Sequence, residues 1–201
     1  MFVSGMGTSV IAGNFIAFSI AALINLPGNA LGSASTIITG RRLGNGQIAQ
    51  AEIQLRHVFW LSTIGLTAIA WLTAPFAGVM ASFYTHDQDV KEVIVILIWL
   101  NAAFMPIWAA SWVLPAGFKG ARDARFAMWV SMLGMWGCRV VAGYTLGIVL
   151  GWGVVGVWLG MFFDWAVRAA LFYWRMVTGR WLWKYPRPER EKCIKQPVAS
   201  E

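Results

Sequence analysis

The chain has 201 residues, 58% of them hydrophobic and only 12% charged, with a net charge of +7. Its mean hydropathy of +0.61 and its scarcity of charge exclude a water-soluble domain, which carries about 45–50% apolar and about 25% charged residues. The basic residues sit at the ends of apolar runs rather than on a docking face, so nucleic acid is set aside as a partner and the lipid bilayer is the expected surrounding.

A run of about twenty apolar residues crosses roughly 30 Å of hydrocarbon at about 1.5 Å per residue. Five such runs predict an all-α polytopic membrane helix bundle. The first covers about 10–40 and is interrupted by Pro27, Gly28 and Asn29, which predicts one tilted, broken helix. Asn25 and Asn29 are spaced i,i+4 and share a face beside that break, so they are candidate lining of a polar pathway, together with Asn101 in the third run. The competing role for these amides is ordinary hydrogen bonding between helices.

The second run covers about 57–83 with Pro75 inside it, and the third about 90–118 with Pro106 and Pro115. These prolines either act as hinges or simply reflect the higher proline content of membrane helices. Trp99, Phe104, Trp108 and Trp112 recur at nearly helical spacing on the third run. Turned inward they would stack a planar organic substrate, with Trp108 the chief candidate; turned outward they are lipid-facing bulk. The fourth and fifth runs, about 126–150 and 154–177, are joined by the tight turn Gly151-Trp152-Gly153. Trp60, Trp152, Trp181 and Trp183 are expected in the interfacial belt.

The connections set the orientation. Arg41, Arg42 and Arg56 occupy the first, His86, Asp87, Asp89, Lys91 and Glu92 the second, and Lys119, Arg122, Asp123 and Arg125 the third; a basic tail over 184–201 closes the chain. Basic, acidic, basic is the alternation of cytoplasmic and external loops, which places the C-terminus in the cytoplasm. An odd number of spans then puts residue 1 outside, and with no signal peptide ahead of it the expectation is that a further span precedes it in a longer protein.

Charge inside a bilayer is expensive, so intramembrane ions are functional candidates by default. Arg139 lies thirteen residues before Trp152 and Asp164 twelve after it. On straight α-helices both stand about 18–20 Å from the turn, which permits an ion pair between them. Arg168, at i,i+4 from Asp164, is the alternative partner. The carboxylate is either a carrier of the coupling ion or a fixed strut. No HExxH, GxSxG, Walker lysine or Cys/His cluster is present, so no enzyme, metal site or cofactor is expected; Cys138 and Cys193 fall at different levels and form no disulfide.

Two motifs carry a family resemblance. Leu26-Pro27-Gly28-Asn29-Ala30-Leu31-Gly32-Ser33-Ala34-Ser35, followed by Gly40-Arg41-Arg42-Leu43-Gly44-Asn45-Gly46, resembles the second-helix signature of the MATE (multidrug and toxic compound extrusion) transporters. Leu114-Pro115-Ala116-Gly117-Phe118-Lys119-Gly120-Ala121-Arg122-Asp123-Ala124-Arg125 resembles the family's fourth-helix ending, so Gly40, Arg41, Gly44, Gly117, Gly120, Asp123 and Arg125 stand at loop-motif positions. Trp136 to Tyr144, Gly153 to Trp158, and Asp164, Arg168 and Thr178 to Trp181 resemble the fifth and sixth helices.

The resemblance implies that residues 1–183 are five of the six helices of a C-terminal lobe, in a full protein of twelve. It implies an antiporter of the bacterial inner membrane that exports drug-like or planar organic substrates against H+ or Na+ by alternating access. The partners implied are a missing N-terminal lobe, a small organic substrate and a coupling cation. Within the family the sequence also resembles an enterobacterial branch that includes a probable flavin mononucleotide and flavin adenine dinucleotide exporter. The alternative is a non-transporting fragment of a truncated gene.

Overall fold

A computed structural model describes residues 8–185. Residues 1–7, the cysteine at position 193 and most of the basic tail lie outside the described residues. Helix α1 spans Thr8–Gly44 and α2 Ile48–Thr73; a 3-10 turn, Ala74–Phe76, leads into α3, Ala77–Ser82. Then come α4, Gln88–Gly120, and α5, Ala124–Leu133. A π-helical stretch, Gly134–Val140, a single turn α6, Val141–Tyr144, and a second π-helical stretch, Thr145–Val149, complete the fourth span before α7, Gly153–Val177. Among the described residues five helical segments are therefore long and apolar enough to cross a membrane: Val10–Gly44, Ile48–Ser82, Gln88–Gly120, Ala124–Val149 and Gly153–Val177.

Three expectations about these elements are corrected. The second span begins at Ile48, not near 57, and Arg56 is helical rather than in a loop. Ile48, Ala49, Ala51 and Leu55 are buried while Gln50, Gln54 and Arg56 are not, so this is an amphipathic opening whose polar half hides it from a hydropathy average. The first span is continuous through Pro27. Proline removes a single backbone hydrogen bond there, and close packing on a neighbouring helix holds the segment together. Pro106 and Pro115 likewise sit within an unbroken α4, whereas Pro75 does fall at the 3-10 turn.

Helix α4 is the hub: it packs against α1, α2, α3, α5 and α7, and its pairing with α1 is the most extensive in the bundle. The fourth span leans mainly on α7. Two apolar clusters fill the interior. One gathers Ile20, Leu66, Ile94, Ile98, Met105 and Phe162; the other gathers Leu55, Phe118, Phe172 and Trp181 at the end where the basic connections lie. Trp181 is fully buried, its ring 5.9 Å from that of Phe118. It belongs to the core rather than to the interfacial belt, because the turn Arg180–Leu182 folds it back beneath α4 and α7. Trp60, Trp152 and Trp183 are exposed.

At this basic end the helices terminate by hydrogen bonding rather than by running out of apolar residues. Asp123 N–H donates to the Phe118 carbonyl at 2.9 Å, closing α4 in a Schellman-type turn with Arg122 in the left-handed region at φ 61°. A non-glycine residue there costs about 1–2 kcal/mol. Neighbouring contacts offset it: Lys184 donates to the Arg122 carbonyl at 3.0 Å, and Asp123 accepts from Arg175 at 2.6 Å.

Candidate functional site

Helical spacing places one ridge from each of three helices around two adjoining cavities. Helix α1 contributes Asn25, Asn29, Gly32, Ser33 and Thr36; α4 contributes Asn101, Trp108, Ser111, Trp112, Pro115 and Lys119; α7 contributes Trp158, Met161, Trp165 and Arg168. Within each series the residues fall three, four or seven apart, with Gly32 and Ser33 and likewise Ser111 and Trp112 as adjacent pairs, the spacing of residues on one helical face.

The first cavity, about 250 Å³, is walled by Trp108, Trp112, Trp158 and Trp165, with Asn25, Asn29 and Asn101 as its polar groups. Trp108 and Trp112 lie nearly parallel, centroids 5.7 Å apart at 10°, and Trp165 meets Trp108 edge-on at 6.4 Å. Gly28 makes room for the Trp108 indole, since a Cβ there would stand 2.8 Å from Trp108 Cη2. Asn101 is 2% exposed. Its amide nitrogen and the amide oxygen of Asn25 are buried with no hydrogen-bond partner, an arrangement that costs about 1–3 kcal/mol per group unless a ligand or water completes it.

The second cavity, about 320 Å³, is polar: Asn29, Ser33, Thr36, Ser111 and Ser131 line it with Lys119 and Arg168. Asn29 and Trp112 belong to both cavities. Thr36 Oγ1 donates to the Ala116 carbonyl at 2.8 Å, tying α1 to α4 at its wall.

The sequence candidates therefore divide. Asn25, Asn29, Asn101 and Trp108 meet in one cavity, and Arg168 lines the other. Phe104 and Trp99 do not join them: Phe104 stacks on Phe162 at 4.4 Å and 9°, and Trp99 sits edge-on to Trp71 at 6.1 Å. Asp164 is fully buried and takes its ion pair from Arg168 Nη2 at 2.5 Å. Arg139 is exposed. The pairing of Asp164 with Arg139 that equal counting from Trp152 allowed is thus not the one formed. The reason is the two π-helical stretches, which are wound wider than an α-helix, advance less per residue and shift the helical face. Gly134, eighteen residues before the turn, is what stands opposite: a Cβ on it would collide with Asp164 Oδ1 and lie 2.9 Å from Arg168 Cγ. Asp164 Oδ1 and Arg168 Nε remain buried without hydrogen-bond partners.

The loop-motif residues lie together at the basic end. A Cβ on Gly120 would strike the Thr36 carbonyl oxygen and stand 3.2 Å from Gly40 N, and one on Gly117 would stand 2.9 Å from Ser35 Oγ. These glycines let α4 approach α1 closely. Gly44 meets nothing, and Arg41 and Arg125 are exposed. Arg42 is the bound cation of the first connection, donating to Gln47 at 2.7 Å, Gln50 at 2.9 Å and Gln54 at 3.1 Å. Asp123 pairs with Arg175, whose guanidinium lies 3.9 Å from the Phe126 centroid.

Sequence reasoning missed a glycine seam. Gly143 and Gly147 on the fourth span face Gly156 and Gly160 on α7, each pair spaced i,i+4. A Cβ on Gly156 would stand 2.5 Å from the Leu146 carbonyl oxygen. This is small-xxx-small packing on both partners, and the spacing was visible in the sequence. The bond from Trp158 Nε1 to Asn14 Oδ1, 2.9 Å, was also missed; no local pattern announces a contact between positions so far apart.

Comparison with known proteins follows the same lines. The MatE family model matches residues 1–145. The chain is similar to an uncharacterized transporter, YisQ, of Bacillus subtilis, 26% identical over 91% of this chain and 40% of the relative. It is similar to a probable multidrug resistance protein, NorM, of Mannheimia succiniciproducens, 24% identical over 88% of this chain and 39% of the relative. It also matches the multidrug resistance protein MdtK of Yersinia pseudotuberculosis, 26% identical over 92% of this chain and 41% of the relative. The crystal structure of a MATE mutant superposes with a TM-score of 0.81 at 23% identity, covering 96% of this chain and 45% of that one. The chain spans about two fifths of the length of these curated relatives. None of the three names refers to a flavin.

Proposed function

This chain belongs to the MatE family of multi-pass membrane transporters, and on that premise we propose that it forms most of one lobe of an ion-coupled exporter of planar organic compounds. In this reading residues 1–183 belong to the C-terminal lobe, a second lobe completes the transporter, and the basic end faces the cytoplasm of a bacterial inner membrane. Substrate enters along the face shared by α1, α4 and α7. The observation that carries the reading is the tryptophan-walled cavity in which the Asn101 amide nitrogen and the Asn25 amide oxygen are buried without partners. Apolar walls with a few convergent polar groups are the usual form of a small-molecule site, and a substrate bearing both an acceptor and a donor satisfies the two groups together.

Alternating access asks for a group whose ionic state changes between the two forms. Asp164 is the candidate: its second oxygen is unpartnered, and its ion-pair partner Arg168 reaches the polar cavity. An arriving substrate at Arg168 then competes with the carboxylate for the guanidinium, which couples the two sites. The test is dye accumulation in cells carrying the gene at its own locus. Asn101→Leu, which fills the cavity without a hydrogen bond, is expected to raise accumulation to the level of a deletion strain while the protein remains in the membrane. Accumulation equal to wild type removes Asn101 from the pathway.

A further inference from the structure

The charges around the two cavities are of one sign. Lys119 and Arg168 both line the polar cavity, and no carboxylate lines either cavity among the described residues. Asp123 is engaged by Arg175, and Asp164 sits behind Arg168 without reaching either lining. Only one Arg168 nitrogen, Nη2, is paired with Asp164; Nε is buried with no acceptor. Arg168 therefore retains donors for an anion, and Lys119, exposed at the end of α4, adds a second positive charge to the same lining. Ser33, Thr36, Ser111 and Ser131 complete a wall of small hydroxyl groups.

The polar cavity adjoins the tryptophan-walled one through Asn29 and Trp112, which line both. Trp112 is 47% exposed and lies flat against Trp108, so it stands where a ring passing between the cavities meets an aromatic edge or face. Together the cavities fall within the roughly 300–1,000 Å³ of ordinary small-molecule sites.

We propose that this pair of cavities binds an aromatic acid, its ring against Trp108, Trp112 and Trp165 with Asn25 and Asn101 on the ring's polar edge, and its carboxylate or phosphate on Arg168 and Lys119. This rests on the exporter reading and sharpens it, because it assigns the substrate's charge. An aromatic cation in the same place meets Lys119 and Arg168, of which Asp164 offsets only Arg168, and no carboxylate in the lining, and like charges brought together in a low-dielectric site repel strongly. Guanidinium groups match carboxylate and phosphate geometry through paired donors, and the lysine supplies a point charge.

The test is calorimetric titration of the full chain in lipid nanodiscs, with binding to empty discs subtracted. Four probes share a ring and differ in charge: naphthoate, naphthyl phosphate, naphthylmethanol and naphthylmethylammonium. The acids are expected to bind at least roughly tenfold more tightly than the ammonium compound, an electrostatic difference typical of a charge-assisted contact. The stronger of the two acids identifies the acidic group. Lys119→Gln is expected to reduce the preference for acids while leaving naphthylmethanol affinity unchanged, and Trp112→Ala to weaken all four probes. Equal or tighter binding of the ammonium compound, no binding of any probe, or an acid preference untouched by Lys119→Gln overturns the proposal. Binding does not require transport: selective binding without export removes the exporter reading alone, and export of cations without acid binding removes this inference alone.

Discussion

Gly160 of α7 lies so close to Gly143 of the fourth span that a Cβ on Gly160 would stand 2.6 Å from Gly143 Cα. Backbone rather than side chain fills the space, so neither helix can move aside locally. Gly160→Ala is expected to destabilise the protein by about 1–3 kcal/mol, the usual range for overpacking, and to lower the unfolding temperature in detergent. Gly65→Ala is the control. A Cβ at Gly65 meets nothing within 4 Å, and alanine in a helix is favoured over glycine by roughly 0.5–1 kcal/mol, so this variant should unfold at the same temperature or higher.

The ion pair between Asp123 and Arg175, 2.6 Å, joins the α4–α5 turn to the end of α7, and both side chains are largely buried. Removing one partner leaves the other charged and unpaired, which costs about 3–5 kcal/mol for a buried pair. Asp123→Ala is expected to unfold at markedly lower temperature. The double variant with Arg175→Ala should recover part of the loss, and a simple sum of the two single effects would show that the pair is not coupled.

The membrane bundle and its five spans were legible because apolar runs of the right length are hard to disguise. The start of α2 was not, since Gln50, Gln54 and Arg56 alternate with buried Ile48, Ala51 and Leu55 and lower the average hydropathy of a genuine helix. The cavity lining was partly legible: Asn25, Asn29, Asn101 and Trp108 show as polar or aromatic residues on helical ridges. Lys119 and Ser131 were not, because their place depends on how α4 and α5 cross. Asp164 and its alternative partner Arg168 were identified, yet the residue that faces them from the fourth span was not. A ruler of constant rise places Arg139 beside Asp164, and the π-helical winding places Gly134 there instead.

Gly134 therefore has a consequence for the buried carboxylate. Gly134→Ala puts a methyl group against Asp164 Oδ1 and within 2.9 Å of Arg168 Cγ. It is expected to disturb the ion pair and to lower thermal stability by about 1–3 kcal/mol. Gly137→Ala, three residues on in the same π-helical stretch with nothing within 4 Å, should not; equal effects from the two would show that the stretch, rather than the contact, is sensitive.

Trp158→Phe removes the indole N–H that reaches Asn14 Oδ1 at 2.9 Å and keeps the ring's packing against Phe162. Hydrogen bonds between membrane helices average about 0.6 kcal/mol, so a small fall in unfolding temperature is expected, and Asn14→Ala should produce no further fall when combined with it.

In the proposed exporter, Asp164 couples an ion gradient to movement of substrate past the α1, α4 and α7 face. The most direct measurement is gradient-driven dye accumulation in everted membrane vesicles from cells carrying the gene at its own locus, comparing wild type with Asp164→Asn. Asparagine keeps a hydrogen-bond acceptor for Arg168 and gives up the charge. The variant is expected to reach the membrane at wild-type level but no longer to accumulate dye in response to an imposed H+ or Na+ gradient. Undiminished gradient-driven accumulation by Asp164→Asn would contradict it and leave Asp164 as a strut between helices.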